Sequence, residues 1–202
     1  MLRIGLTGGM GCGKSTIAHI FSALEIPVYN ADLNAKRLSE SPQIKTRIAQ
    51  LFGKQAAADK KKLAEIVFAR PEELARLNAL VHPLVFADME NWFKTWANAP
   101  LPPPYAVVEA AILFECGMEH TLDYVIDVEA PLETQIARCS SRDNSSRQEV
   151  LARLSRQLSA QERMEKSHFV VQNGNHDRVL PLILEIDVFL RRKAASPYPQ
   201  GI

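Results

Sequence analysis

The residues Gly8-Gly9-Met10-Gly11-Cys12-Gly13-Lys14-Ser15-Thr16 fit G-x-x-x-x-G-K-[ST] along its whole length. The chemistry needs each part. Glycines let the chain wrap with its N–H groups turned inward, so Gly9, Gly11, Cys12 and Gly13 can surround phosphate oxygens with backbone alone. A helix starting near Gly13 aims its positive end at the same place. Lys14 brings a point charge to the outer phosphates, the Ser15 hydroxyl can ligate Mg²⁺, and Thr16 can bond the inner phosphate. The alternative is a plain glycine turn between a strand and a helix. The pattern follows a predicted strand and opens a predicted helix, which favours the nucleotide.

Asp32 stands just past the second predicted strand. In a parallel sheet that strand end shares an edge with the phosphate loop, so a carboxylate there could orient an acceptor hydroxyl or take its proton. Asp32 also precedes a helical run and would serve as an N-cap, and the residues alone do not separate the two roles. Arg138, Arg142, Arg147, Arg153 and Arg156 crowd one polar stretch. Any one of them reads as a solvated charge. Taken together they suggest a lid with at least one guanidinium reaching the phosphates. Guanine-specific switch proteins carry Asn-Lys-x-Asp, and the sequence has none. No aspartate closes a strongly apolar strand as in a standard second phosphate-loop motif; Val107-Val108-Glu109 comes nearest.

The elements that must hold these groups read as α/β. Strands are expected at Arg3–Thr7, Ile26–Tyr29, Tyr105–Glu109, Tyr124–Val128 and His168–Val171. The apolar residues of Lys14–Leu24 recur at helical spacing, so strand, helix and strand form a βαβ unit and imply a parallel sheet. From Ala31 to about Ala97 the chain reads as helical, with Pro71 opening one helix and Pro83 starting or kinking another. Pro131 starts a helix to about Ser140, Ser141–Gln161 reads as a mobile arginine-rich stretch, and Val179–Leu190 as the closing helix before a frayed tail. The expectation is one domain. Its core is about 1–30 and 105–202, with a helical insertion of about 31–100 and a lid of about 141–163. Five parallel strands are flanked by helices in the manner of a P-loop kinase fold.

The chain has 202 residues, 47% of them hydrophobic, enough for a real core. Its net charge of +1 gives no electrostatic case for nucleic acid as a partner. Cys12, Cys116 and Cys139 are far apart and not in metal-ligand spacing, consistent with a reduced compartment. No apolar stretch is long enough to span a bilayer and the start lacks a signal-peptide core, so a cytoplasmic enzyme without membrane contact is expected. A monomer or weak homo-oligomer is expected.

The sequence resembles the dephospho-coenzyme A kinase family over nearly its whole length. The resemblance rests on Leu6-Thr7 with the loop, on Ala31-Asp32 with Lys36, and on Leu77-Asn78-Ala79-Leu80-Val81-His82-Pro83. Ile112-Leu113-Phe114-Glu115, Arg142-Asp143, Arg153 with Gln157, and Phe169-Val170-Val171-Gln172-Asn173-Gly174 complete it. The loop is generic; the His-Pro and Leu-Phe-Glu segments are far more specific. The resemblance implies transfer of the ATP γ-phosphate to the ribose 3′-hydroxyl of dephospho-coenzyme A, with Mg²⁺. It implies that Asp32, Lys14 and Arg142 are catalytic, and that Arg138, Arg142 and Asn173 join the loop in holding ATP. It implies acceptor contacts from Thr7, Asp32, Lys36, His82, Leu113, Glu115 and Arg153, with Ser15 on the metal. Unaided, His82 reads as a helix-entry residue, Glu115 as a strand end, and Asn173 as a turn residue before Gly174. Three positions depart from the family pattern: Asn30 and Gln172 stand where aspartates are usual, and Ala111 where proline is. Another small-molecule P-loop kinase, or a nucleotide-dependent switch with a protein ligand, are the competing readings.

Overall fold

The computed structural model describes residues 1–196; positions 197–202, where the expected frayed tail ends, lie outside the described residues. Contacts divide the chain into two compact units, Met1–Asn30 with Phe93–Ile202, and Ala31–Trp92.

The first unit is built on five parallel strands: β1 (Leu2–Gly8), β2 (Val28–Asn30), β3 (Tyr105–Glu109), β4 (Tyr124–Glu129) and β5 (Phe169–Gln172). Their order is β2-β3-β1-β4-β5. The central strand is covered on both faces, which explains why the last five residues of β1 and all five of β3 are buried. Ile17 and Phe21 of α1 (Lys14–Ala23) and Ile183, Ile186 and Leu190 of α10 (Val179–Ala195) pack in one cluster with Ile4, Leu6, Tyr105 and Val107. Burying Asp187 in that stripe is tolerated because Tyr105 donates its hydroxyl to Oδ1 at 2.6 Å and Arg191 Nε donates at 2.8 Å.

Several boundaries differ from the sequence reading. The second strand begins at Val28, not Ile26. The Ile26 N–H closes α1 by bonding Phe21 O at 3.0 Å, and Pro27, which has no N–H, still accepts from Val107 N at 2.9 Å. The last strand starts one residue later than expected, at Phe169. Helix α7 (Leu132–Asp143) runs past Ser140, and the arginine-rich stretch holds α8 (Arg147–Leu154) and α9 (Ala160–Lys166). Each short helix opens with a reciprocal capping box, Ser146 with Glu149 and Ser159 with Glu162. Helix α10 continues beyond Arg191 to Ala195.

The second unit is helical: α2 (Ala31–Ser39), α3 (Pro42–Phe52), α4 (Lys54–Ala58), α5 (Lys60–Ala69) and most of α6 (Pro71–Ala97). Pro83 neither starts nor ends α6, which is assigned as one helix through it. A proline deletes one backbone bond, and the buried stripe Val81, Val85, Met89 at four-residue spacing supplies packing on either side of it. Asp59 caps α5 by accepting from Lys61 N and Lys62 N. Glu40 takes Lys45 and Lys60 together, whose hydrogen bonds pull its carboxyl down to about 2. Among the described residues no helix is long and apolar enough to cross a membrane.

Candidate active site

The loop between β1 and α1 turns on left-handed glycines. Gly13 has φ of 91°, and a Cβ there would lie 2.2 Å from Asn173 Nδ2. Gly11 has φ of 79°, and a Cβ would meet Gln135 O at 2.6 Å and Cys139 Sγ at 2.7 Å. Any side chain at either position would be both strained and obstructed. Lys14 folds back over the loop, its Nζ donating to Gly8 O at 2.9 Å and Gly9 O at 3.1 Å. Ser15 and Thr16 sit exposed in the first turn of α1.

A line of side chains continues from the loop along the C-terminal edge of the sheet. Ser15 Oγ donates to Glu109 Oε1 at 2.9 Å, and Asn30 Nδ2 donates to Glu109 Oε2 at 2.8 Å. The carboxylate is buried, and its two oxygens take these two donors. Register explains the arrangement, since Asn30 and Glu109 are direct partners at the ends of β2 and β3.

On the other side Asn173 follows β5. Its N–H bonds Glu129 O at 2.7 Å and its Nδ2 bonds Cys12 O at 2.8 Å, so the last strand holds the loop. Arg138 Nη1 donates to Asn173 O at 2.9 Å and lies within 3.5 Å of Gly11 O and Cys12 O. Arg142 and Arg153 are elsewhere engaged. Both reach Asp143, Arg142 Nε at 2.7 Å and Arg153 Nη1 at 3.4 Å, with the Arg142 side chain 63% exposed. That pairing raises the Arg142 pKa further. Arg147 forks onto Glu133 instead.

Beneath the loop is a buried polar layer. Arg163 donates to Glu129 and, at 3.4 Å, to Asp127 Oδ1. A Cβ on Gly9 would lie 2.7 Å from Gln135 Oε1 and 3.3 Å from Arg163 Nη2, so the layer abuts the loop. Asp127 is 0% exposed, and burial, with Glu129 beside it, pushes its carboxyl up to about 7 despite Arg163. Among the described residues Asp127 Oδ2 and Thr7 Oγ1 have no hydrogen-bond partner, although the two residues are register neighbours on β4 and β1.

Two of the expected acceptor contacts, Thr7 and Leu113, have buried side chains. Thr7 is 1% exposed and belongs to the layer under the loop. Leu113 is 0% exposed and fills the space above Gly5, where a Cβ would lie 2.6 Å from its Cδ1. Glu115 is exposed, and Oε1 accepts Leu158 N–H at 2.8 Å. The second unit carries the remaining three. Asp32 stands in the first turn of α2, two residues after β2 ends. Lys36 is exposed in the last turn of α2, and His82 is half-buried in α6, its pKa lowered by burial.

Some participants were not marked by the sequence reading. Glu109 was noted only as the nearest acidic strand end, and Asn30 only as a departure. Gln135 and Arg163 carried no signal, because their approach to Gly9 joins positions over 100 residues apart. Asp143 was visible beside Arg142, but nothing in sequence spacing joins it to Arg153.

Residues 2–178 match the family model described as dephospho-CoA kinase. A dephospho-CoA kinase of Bacteroides fragilis is 32% identical over 197 residues, 95% of this chain and 94% of that protein. Among solved structures, the protein TT1252 of Thermus thermophilus is similar with a TM-score of 0.79 at 31% identity, covering 95% of this chain and 97% of its own. A dephospho-CoA kinase from Campylobacter jejuni shares the fold, with a TM-score of 0.66 at 24% identity over 94% of this chain and 97% of that one.

Proposed function

We infer the reaction from one premise: the chain belongs to the dephospho-CoA kinase family and is an ATP-dependent phosphotransferase. It carries the γ-phosphate of ATP to the ribose 3′-hydroxyl of dephospho-CoA, giving CoA and ADP. The observation that carries the reading down to residues is the line Asn30–Glu109–Ser15 beside an intact glycine loop.

In this reading the loop N–H groups of Gly9, Gly11, Cys12 and Gly13, and those of Lys14, Ser15 and Thr16, surround the phosphates. Lys14 exchanges the Gly8 and Gly9 carbonyls for phosphate oxygens. Arg138 and Asn173 flank the nucleotide at the end of β5. Ser15 Oγ and Glu109 Oε1 are hard oxygen donors 2.9 Å apart, a pair that suits Mg²⁺, while Asn30 keeps the carboxylate turned toward Ser15. Bound there, Mg²⁺ would neutralise charge on the phosphates.

Asp32 accepts the proton of the attacking 3′-hydroxyl as the new O–P bond forms and the bond to the ADP oxygen breaks. Covalent reach supports that role, because two residues carry its Cα no more than ~7 Å from that of Asn30. Arg142 and Arg153 leave Asp143 for the phosphate oxygens as the segment of about 141–163 closes. Arginine suits that exchange, since its fork fits carboxylate and phosphate alike. Lys36, His82 and Glu115 serve the acceptor. We place the enzyme in the cytoplasm. The test is ADP release with and without dephospho-CoA: strong dependence on the acceptor is expected, and acceptor-independent hydrolysis at the same rate would reject the reading.

A further inference from the structure

The dipeptide Gln157-Leu158 lies in the link of residues 155–159 between α8 and α9, and it is held from several sides. Gln157 Oε1 accepts the Met10 N–H at 2.9 Å, and Gln157 Nε2 donates to Ala111 O at 2.7 Å. The Leu158 N–H donates to Glu115 Oε1 at 2.8 Å, and its carbonyl accepts from Arg163 Nη1. Met10 lies in the phosphate loop, and Ala111 lies two residues beyond Glu109. Only a side chain with an acceptor and a donor on one short stem can satisfy both loops at once. Glutamate would keep the first bond and lose the second; methionine would keep the length and lose both.

From this geometry we propose that Gln157 is a positioning residue for phosphoryl transfer. Its amide fixes the Met10 limb of the phosphate loop against the turn after β3 and ties both to the arginine-bearing segment. The inference rests on the reading of the loop as the ATP site. The pinned dipeptide makes residues 157–158 the fixed end of that segment, so closure happens on its N-terminal side, at the end of α7 and in α8, where Arg142 and Arg153 stand. Gln157 touches neither Lys14 nor the amides at the start of α1, which supply most of the grip on the inner phosphates. Its loss therefore falls on the aligned reacting state more than on ATP binding.

The experiment compares wild type with Q157M and Q157E in three measurements. These are kcat with dephospho-CoA, ATP affinity by equilibrium titration, and amide exchange of the peptide 8–13 by mass spectrometry. For Q157M the expected result is a kcat lower by about 10-fold, an ATP Kd within about 3-fold of wild type, and faster exchange in the loop peptide. Q157E, which keeps the Met10 bond, should retain more loop protection than Q157M. Wild-type kcat and wild-type exchange in Q157M would overturn the proposal. So would a loss of kcat, ATP affinity and loop protection to the same degree in both variants, which marks a purely structural residue. A wild-type enzyme without acceptor-dependent ADP release would instead reject the functional reading itself.

Discussion

Replacing Gly13 with alanine tests how the loop is shaped. At φ of 91° a Cβ is strained, which costs roughly 1–2 kcal/mol for a single non-glycine residue held left-handed. The same Cβ would lie 2.2 Å from Asn173 Nδ2, so the amide must move and give up its 2.8 Å bond to Cys12 O. That bond is worth about 1 kcal/mol net, which makes the expected loss about 2–3 kcal/mol. The two contributions separate in a double-mutant cycle with Asn173→Ala, which removes both the obstacle and the bond. Gly13→Ala should then cost only the backbone strain, about 1 kcal/mol less than in the wild-type background. Urea unfolding of the four proteins gives the comparison, and ATP titration should follow the same order. Equal costs in both backgrounds would refute the reasoning, because Asn173 would not be what excludes a side chain at Gly13.

Two further outcomes are expected. Asp32→Asn should leave ATP affinity nearly intact while single-turnover transfer falls by roughly 10²-fold or more; a near-normal rate would remove Asp32 from the chemistry. Asp127 holds its proton more tightly folded, at about 7 against 3.8. The folded state therefore loses stability as pH rises between those values and levels off above them. Asp127→Asn does not titrate, so its stability relative to wild type should improve from pH 5 to pH 8, by an amount on the order of a few kcal/mol. Identical differences at the two pH values in urea melts would contradict the buried-acid account.

How far the site could be read from sequence depended on how local its chemistry is. The phosphate loop was legible because one run of nine residues must supply the amides, the charge and the hydroxyl. The core strands were legible because parallel central strands are buried on both faces and rich in apolar residues, as in the Tyr-Ala-Val-Val run that opens Tyr105–Glu109. Misplaced ends had physical causes that hydropathy does not carry. Ile26 is apolar but spends its N–H closing α1. Ser146 and Ser159 each precede a glutamate by three residues, a local signal of helix starts that the density of arginines obscured. The family resemblance implies acceptor contacts from Thr7 and Leu113, and the structure buries both side chains. The partners of Glu109, Arg163 and Gln157 come from distant segments, and only the folded sheet brings them together.

The strand order also has a consequence for synthesis. Among the five strands, the earliest in chain order is the middle one, and it pairs with Tyr105 onward on one side and Tyr124 onward on the other. Val28–Asn30 cannot shelter it, since that strand bonds only to its later neighbour. At the ribosome the leading apolar segment must wait for ~100 residues to be added, roughly 5–20 s at ordinary elongation rates. During that interval both hydrogen-bonding edges of the strand lack their partners, with only α1 at hand to cover one face, so exposure to mispairing falls on the growing chain rather than on the finished enzyme.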